Sequence, residues 1–436
     1  MSEGAKGFVI PAALVVLAFI LRLYAALVPG IIVPDGVVYI DTARMIEAGQ
    51  WQRVSQEGIY SLYPFMIIAV HKVFADWEMA GRIISVIFGS LAVLPLYLLF
   101  KRMFDIRIAG IAALFFVISP KLVEFSSNVI REPAFWFFSL SALWLVWEGM
   151  DRSRWYYMPI ASLFIAMSVM TRMQGVALVP VPLLWMGWHM LKVKEPGPKK
   201  VLVYLVIFLV SFPVIGITPL YFLKSRLGRW EIGHLGSKAP QFLSSGNKDA
   251  EQAFRQSLGD ADTITRLVSG NKYVFYVWEA IYKFLRSYHV LLVFLFLIGI
   301  VRRKIVPRDM VKETPVIIWC GIFLMVSLLY VSKTFYLSTR HGMLMSIPAL
   351  VWVSIGFFEL SDIIGRFLLR HRPAGVNTHK LAVILLAIIS FIILPSTLTW
   401  SGYEKVEMKK AGIYLKQKGY SKKKIAVESR LIRLGF

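Results

Sequence analysis

The chain reads as an all-α polytopic membrane protein of about eleven transmembrane helices, and three observations carry that reading. Hydrophobic residues make up 57% of the sequence and charged ones only 17%, a balance foreign to water-soluble domains. Apolar runs recur at roughly 7–28, 80–100, 107–119, 133–148, 156–170, 174–191, 201–223, 277–300, 315–332, 342–360 and 380–400, and about 20 apolar residues suffice to cross a bilayer as helix. Between them Lys and Arg gather in short clusters that all fall on one side if the N-terminus is cytoplasmic. The formal charge of +23 is thus a topology signal: the partner it implies is the lipid bilayer, and nucleic acid is excluded.

Taken in order, the first run carries Arg22 and is followed by no small-residue cleavage site, so it reads as a retained anchor. The outer segment 29–79 is too long for a turn. Within it, Pro34-Asp35 followed by Val38, Ala43, Ile46 and Gly49 predicts a short amphipathic helix on the membrane surface, and 65–74 a second. Lys101, Arg102 and Arg107, then Arg152 and Arg154, then Lys192, Lys194, Lys199 and Lys200 mark successive inside connections. A second long outer segment, 224–276, is Gly-, Ser- and Lys-rich around Gly246-Asn247-Lys248, with helix-like stretches over 249–258 and 260–268. Arg302, Arg303, Lys304, Arg308 and Lys312 lie inside, as do Arg366, Arg370, Arg372 and Lys380, which puts the C-terminus outside. Residues 1–402 therefore form one transmembrane domain. The segment 403–436 is too short to fold alone and reads as the start of a truncated outer domain. The single cysteine, Cys320, sits in an apolar run and rules out an intramolecular disulfide.

Candidate chemistry collects on the outer side. Asp35 stands where the first helix emerges, with Asp41 nearby. Three outer connections hold Arg131-Glu132-Pro133, Thr171-Arg172-Met173-Gln174 and Lys333 to Arg340-His341. Positive charge on that side runs against the topology rule. Each residue alone has a structural reading: Asp35 as a helix cap, Glu132 at a helix start, Arg131 and Arg172 reaching for headgroups. Together, beside an acidic first loop, they read as a site.

The ordered set Arg22, Asp35, Tyr39 with Ala43, Tyr63-Pro64, Gly81-Arg82, Arg131-Glu132-Pro133, Arg172 and Arg340-His341 ahead of Pro348 resembles the GT-C glycosyltransferases, in particular the family 39 protein mannosyltransferases and the lipid A aminoarabinose transferases. The resemblance implies transfer, with inversion, of a sugar from a polyprenyl monophosphate carrier to a glycan, lipid or protein acceptor on the periplasmic face. It implies catalytic roles for Asp35, as general base, and Glu132. Donor-phosphate contacts would come from Arg340, Arg172, Lys333, His341 and Arg131, and substrate positioning from Tyr39, Asp41, Tyr63 and Arg82. No cofactor is required. Gly36 stands where relatives carry a second acid, so only Asp35 and Asp41 remain for a metal, and Leu62-Tyr63-Pro64 replaces a lysine-bearing motif. The absence of any Asn-x-Ser/Thr sequon favours a bacterial inner membrane. Two other classes fit the same charges: a polysaccharide ligase or polymerase using lipid pyrophosphates, and a transporter or flippase of lipid-linked solutes.

Overall fold

The computed structural model describes residues 3–28, 32–57, 61–192, 196–227, 269–371, 378–399 and Tyr414. The expected outer helices at 249–258 and 260–268 and the 403–436 segment lie outside the described residues, Tyr414 aside. Among those described, there are helices and short connections and no strand. The helices are α1 (Glu3–Leu27), α2 (Pro34–Glu47), α3 (Trp51–Glu57), α4 (Leu62–His71), α5 (Trp77–Leu91), α6 (Val93–Met103), α7 (Ile106–Ile118), α8 (Pro120–Ser126), α9 (Glu132–Asp151), α10 (Tyr157–Thr171), a 3-10 turn over Met173–Leu178, α11 (Pro180–Lys192), α12 (Pro198–Leu227), α13 (Lys272–Arg286), α14 (Val290–Val301), α15 (Met310–Thr334), α16 (Thr339–His371) and α17 (Thr378–Leu398).

Six of these segments are long and apolar enough to span a membrane, or eight when two bent pairs are each taken as one span. The count of eleven is therefore not reached by length and hydropathy. One difference lies in the run 277–300, which is not a single straight crossing: α13 and α14 meet at 111°. Ser287 ends α13, and the His289 ring accepts from the Leu291 N–H at 3.3 Å to start α14. The other bend, 59° between α7 and α8, follows from Pro120, which lacks an N–H for the helical ladder. The carbonyls freed there find partners. Arg22, wholly buried in α1, reaches the Phe116 and Val117 oxygens at 3.3 Å each, and the Thr397 hydroxyl donates to Ile118 at 2.6 Å. A charged side chain inside a membrane protein needs such a reason; Arg22 caps a broken helix.

α16 is the central helix, buried along most of its length against α7, α14 and α15. Its crossing with α14 is set by two glycines. A Cβ on Gly299 would lie 1.9 Å from the Trp352 oxygen, and one on Gly356 1.8 Å from the Leu295 oxygen, so the two backbones touch as small-residue interfaces allow. Gly356→Ala is expected to force the helices apart and cost about 1–3 kcal/mol, read as a lowered thermal unfolding midpoint in detergent. An unchanged midpoint would mean that the crossing can slide.

Candidate functional site

Four stretches distant in sequence meet at one end of the bundle. Pro34 opens α2, where its fixed φ suits the first helical position, and Asp35 follows in the first turn. Asp35 caps nothing: Val33 is the N-cap and makes no side-chain bond. Its carboxylate is instead paired with the Arg340 guanidinium from the start of α16. Arg340 also lies 3.5 Å from Glu132 Oε1 and over the Phe125 ring. Glu132, the first residue of α9, receives Arg172 Nη1 at 2.6 Å. Arg172 leaves the end of α10 in an extended conformation, and its Nε donates to Gln174 Oε1 at 2.7 Å. The Gln174 amide nitrogen is 3.3 Å from His341 Nε2, and the His341 ring tilts on Tyr330. A continuous chain thus links His341, Gln174, Arg172, Glu132, Arg340 and Asp35.

The local sequence explains how these groups converge. After α8, residues 127–131 return against α2 and α5, and Val129 nests on two glycines: a Cβ at Gly36 would sit 2.8 Å from the Val129 oxygen, and one at Gly81 2.6 Å from its Cγ1. Gly36 is thus a packing requirement of this chain. The same approach delivers Arg131, whose guanidinium lies over the Tyr39 ring at 5.5 Å. Tyr39 is held edge-on by Tyr63, with centroids 5.3 Å apart. Tyr63 is buried and its hydroxyl is 2.8 Å from the Gly81 oxygen and 2.9 Å from Ser85 Oγ. Burial first, with Glu132 and Asp35, holds the Tyr39 phenol up at about 12 against the opposing pull of Arg131 and Arg172, so it stays neutral and keeps its O–H donor.

Burial sorts the two acids. The Asp35 side chain is 43% exposed and that of Glu132 only 2%, so Asp35 is the carboxylate an incoming molecule meets. Glu132 is held ionised by the buried Arg172 and the partly buried Arg340 and Arg131 guanidiniums, an arrangement whose desolvation is offset only while all partners stay in place. Glu132 Oε2 and Arg131 Nε are buried without hydrogen-bond partners, and such atoms in folded proteins mark strain or a place for another group.

The other expected residues fall elsewhere. Asp41 is on another face of α2 and 3.7 Å from Arg44; six residues on, a helix has turned away from Asp35. No group of three or more His, Cys, Asp or Glu side chains suited to a metal occurs among the described residues. Arg82 is buried, with Glu78 at 2.8 Å and the Ala26 oxygen at 2.9 Å, which ties α5 to α1. Lys333 lies in the last turn of α15, beyond Tyr330. Gln174 and Tyr330 were not among the expected site residues; the only signal for Gln174 was its place two residues after Arg172.

With the geometry in place, comparisons can be weighed. Residues 61–217, just over a third of the chain, match the family described as dolichyl-phosphate-mannose-protein mannosyltransferase. No curated protein sequence matches. Among solved structures, the oligosaccharyltransferase of Archaeoglobus fulgidus, tethered with an acceptor peptide containing the NVT sequon, superposes with a TM-score of 0.60 at 14% identity, over 95% of this chain and 57% of its own. The same enzyme in complex with an inhibitory peptide and a dolichol-phosphate gives 0.58 at 15% identity, over 93% and 58%. ArnT from Cupriavidus metallidurans bound to undecaprenyl phosphate gives 0.57 at 13% identity, over 100% and 85%. The chain spans less than three-fifths of the oligosaccharyltransferase and most of ArnT. Its fold is the GT-C fold of these membrane transferases, as the ordered motif set implied.

Proposed function

We propose that the chain is an inverting glycosyltransferase that moves a sugar from a polyprenyl monophosphate carrier to an acceptor on the periplasmic face of a bacterial inner membrane. The observation that carries this reading is the convergence of Asp35, Glu132, Arg131, Arg172 and Arg340 at one end of a GT-C bundle. It is supported by the fold shared with structures that hold a dolichol-phosphate and undecaprenyl phosphate.

Inverting transfer is a single displacement at the anomeric carbon. The acceptor oxygen forms the new bond, its proton passes to a base, and the carrier phosphate leaves with the bonding pair. Asp35 is the base, since it is the accessible acid. Arg340 and Arg172 take the leaving phosphate, whose charge grows as it departs, so charge-assisted bonds from preplaced guanidiniums favour that state over the ground state. Arg131 adds positive potential beside them, and His341 stands at the same end. Glu132 keeps Arg172 and Arg340 apart and aimed, and so acts on the acceptor only through them. Tyr63 and Arg82 act through others: Tyr63 sets the Tyr39 ring, and Arg82 holds α5 on α1.

The test is a donor panel. Purified protein in nanodiscs is given polyprenyl-phosphate sugars and polyprenyl-pyrophosphate sugars, with released carrier read by mass spectrometry. Turnover of one monophosphate donor is expected. Turnover of pyrophosphate donors alone would replace this reading with the ligase class, and vectorial movement of a lipid-linked solute without bond breaking would replace it with transport.

A further inference from the structure

We infer that Gln174 is a positioning residue that locks His341 as the neutral Nδ1–H tautomer and so fixes the charge of the guanidinium–carboxylate cluster; its bearing on phosphate binding rests on the function proposed above. The assignment follows from which atoms can only donate. Arg172 Nε carries a hydrogen and has no acceptor capacity, so the Gln174 atom 2.7 Å away is its carbonyl oxygen. The other end of the same amide is then the NH2, a donor only, and it lies 3.3 Å from His341 Nε2. That ring nitrogen must accept. An imidazolium, or the Nε2–H tautomer, would set N–H against N–H. One glutamine thus reads the direction of a buried arginine and imposes a proton position on a histidine 167 residues away.

The consequence is electrostatic. His341 is faced by Arg172 and Arg340, by Glu132, by the Ser338 carbonyl and by the Tyr330 ring, and its Nδ1 is buried without a hydrogen-bond partner of its own. Arg131, Arg172 and Arg340 against Asp35 and Glu132 leave the cluster one net positive charge. A sugar-bearing carrier phosphate is a diester with one negative charge, so donor and cluster balance. A histidine free to protonate would add a second positive charge near neutral pH and hold the departing carrier too firmly. With Nε2 engaged by the Gln174 amide, that charge does not appear.

Selective 15N-histidine labelling of the wild-type protein tests the lock without any ligand, with the His341→Gln spectrum assigning the signal. Expected is a ring with Nδ1 protonated and Nε2 bare from about pH 5.5 to about pH 8; an imidazolium or an Nε2–H ring in that range overturns the inference. Gln174→Glu provides the second arm. Its carboxylate still accepts from Arg172 but presents an acceptor to His341, which then gains a proton at low pH and loses it as pH rises. Binding of a polyprenyl methyl phosphodiester, singly charged throughout, is measured by thermophoresis. The wild type is expected to be flat with pH. The variant is expected to match it near pH 5.5 and to bind about tenfold more weakly near pH 8, since one negative charge is then uncompensated. A pH-independent variant, or a wild type that itself titrates, overturns the inference. If the tautomer is as stated and the diester does not bind at all, the proposed function fails while the lock stands.

Discussion

Asp35→Asn is expected to lower sugar transfer by about 10²–10⁴-fold, the usual contribution of a general base, while binding polyprenyl phosphate up to about fivefold more tightly than the wild type. The two effects have separate causes. Asn keeps the shape of Asp and removes the group that accepts the acceptor proton, so the chemical step slows. It also removes the charge that competes with a phosphate for Arg340, since Asp35 and Arg340 are paired directly. The gain is small because the pair is partly exposed, and exposed ion pairs contribute up to about 1 kcal/mol. Single-turnover transfer with the donor identified by the panel measures the first effect, and thermophoresis with the carrier phosphate the second. Weaker carrier binding would place Asp35 on the phosphate's side, for example through a bridging metal, and would remove it from the acceptor's.

Glu132→Gln is expected to destabilise the protein by about 3–5 kcal/mol, the cost of breaking one partner out of a buried ion pair. Arg172 is almost fully buried and depends on the Glu132 carboxylate at 2.6 Å. With a neutral amide in its place, Arg131, Arg172 and Arg340 share only the partly exposed Asp35 as counter-charge. The measurement is thermal unfolding in detergent, with Glu132→Gln/Arg172→Gln as the companion. The double variant should recover part of the loss, since it removes the stranded cation as well. A single variant as stable as the wild type would mean that Glu132 is there for substrate and not for architecture.

Much of this site was legible in the sequence because sidedness is. Arg131, Glu132, Arg172 and Arg340 lie in short connections that the hydropathy pattern assigns to one and the same side, and that pattern alone puts them together. The helix beginning at Pro34 was equally readable from its proline and its apolar spacing. What could not be read is direction. Nothing in a one-dimensional pattern says that Asp35 meets Arg340 or that Arg82 turns toward α1, although Glu78 one turn earlier offered a partner at i,i+4 spacing. Gly36 looked like a lost acid because the Val129 carbonyl that excludes a side chain there is 93 residues away. The break inside 277–300 was hidden because hydropathy averages over Ser287-Tyr288-His289, where a histidine ring, not a proline, starts the next helix. Gln174 escaped because its role lies in which end of a symmetric-looking amide faces which neighbour.

The bend between α13 and α14 links the site to its surroundings. The turn of 111° sets α13 across the direction of α14, with Lys272, Lys283 and Arg286 among its aromatic residues. From that helix Glu279 pairs with Lys283 at 3.2 Å and accepts from the Leu337 N–H at 3.4 Å, in the turn that presents Arg340. The position of α13 is thereby tied to the turn from which Arg340 begins, and a basic, aromatic helix of this kind is suited to the headgroup layer. Bilayers differing in thickness or anionic lipid should therefore tune turnover in a protein whose residues are all unchanged, and detergent should blunt that tuning.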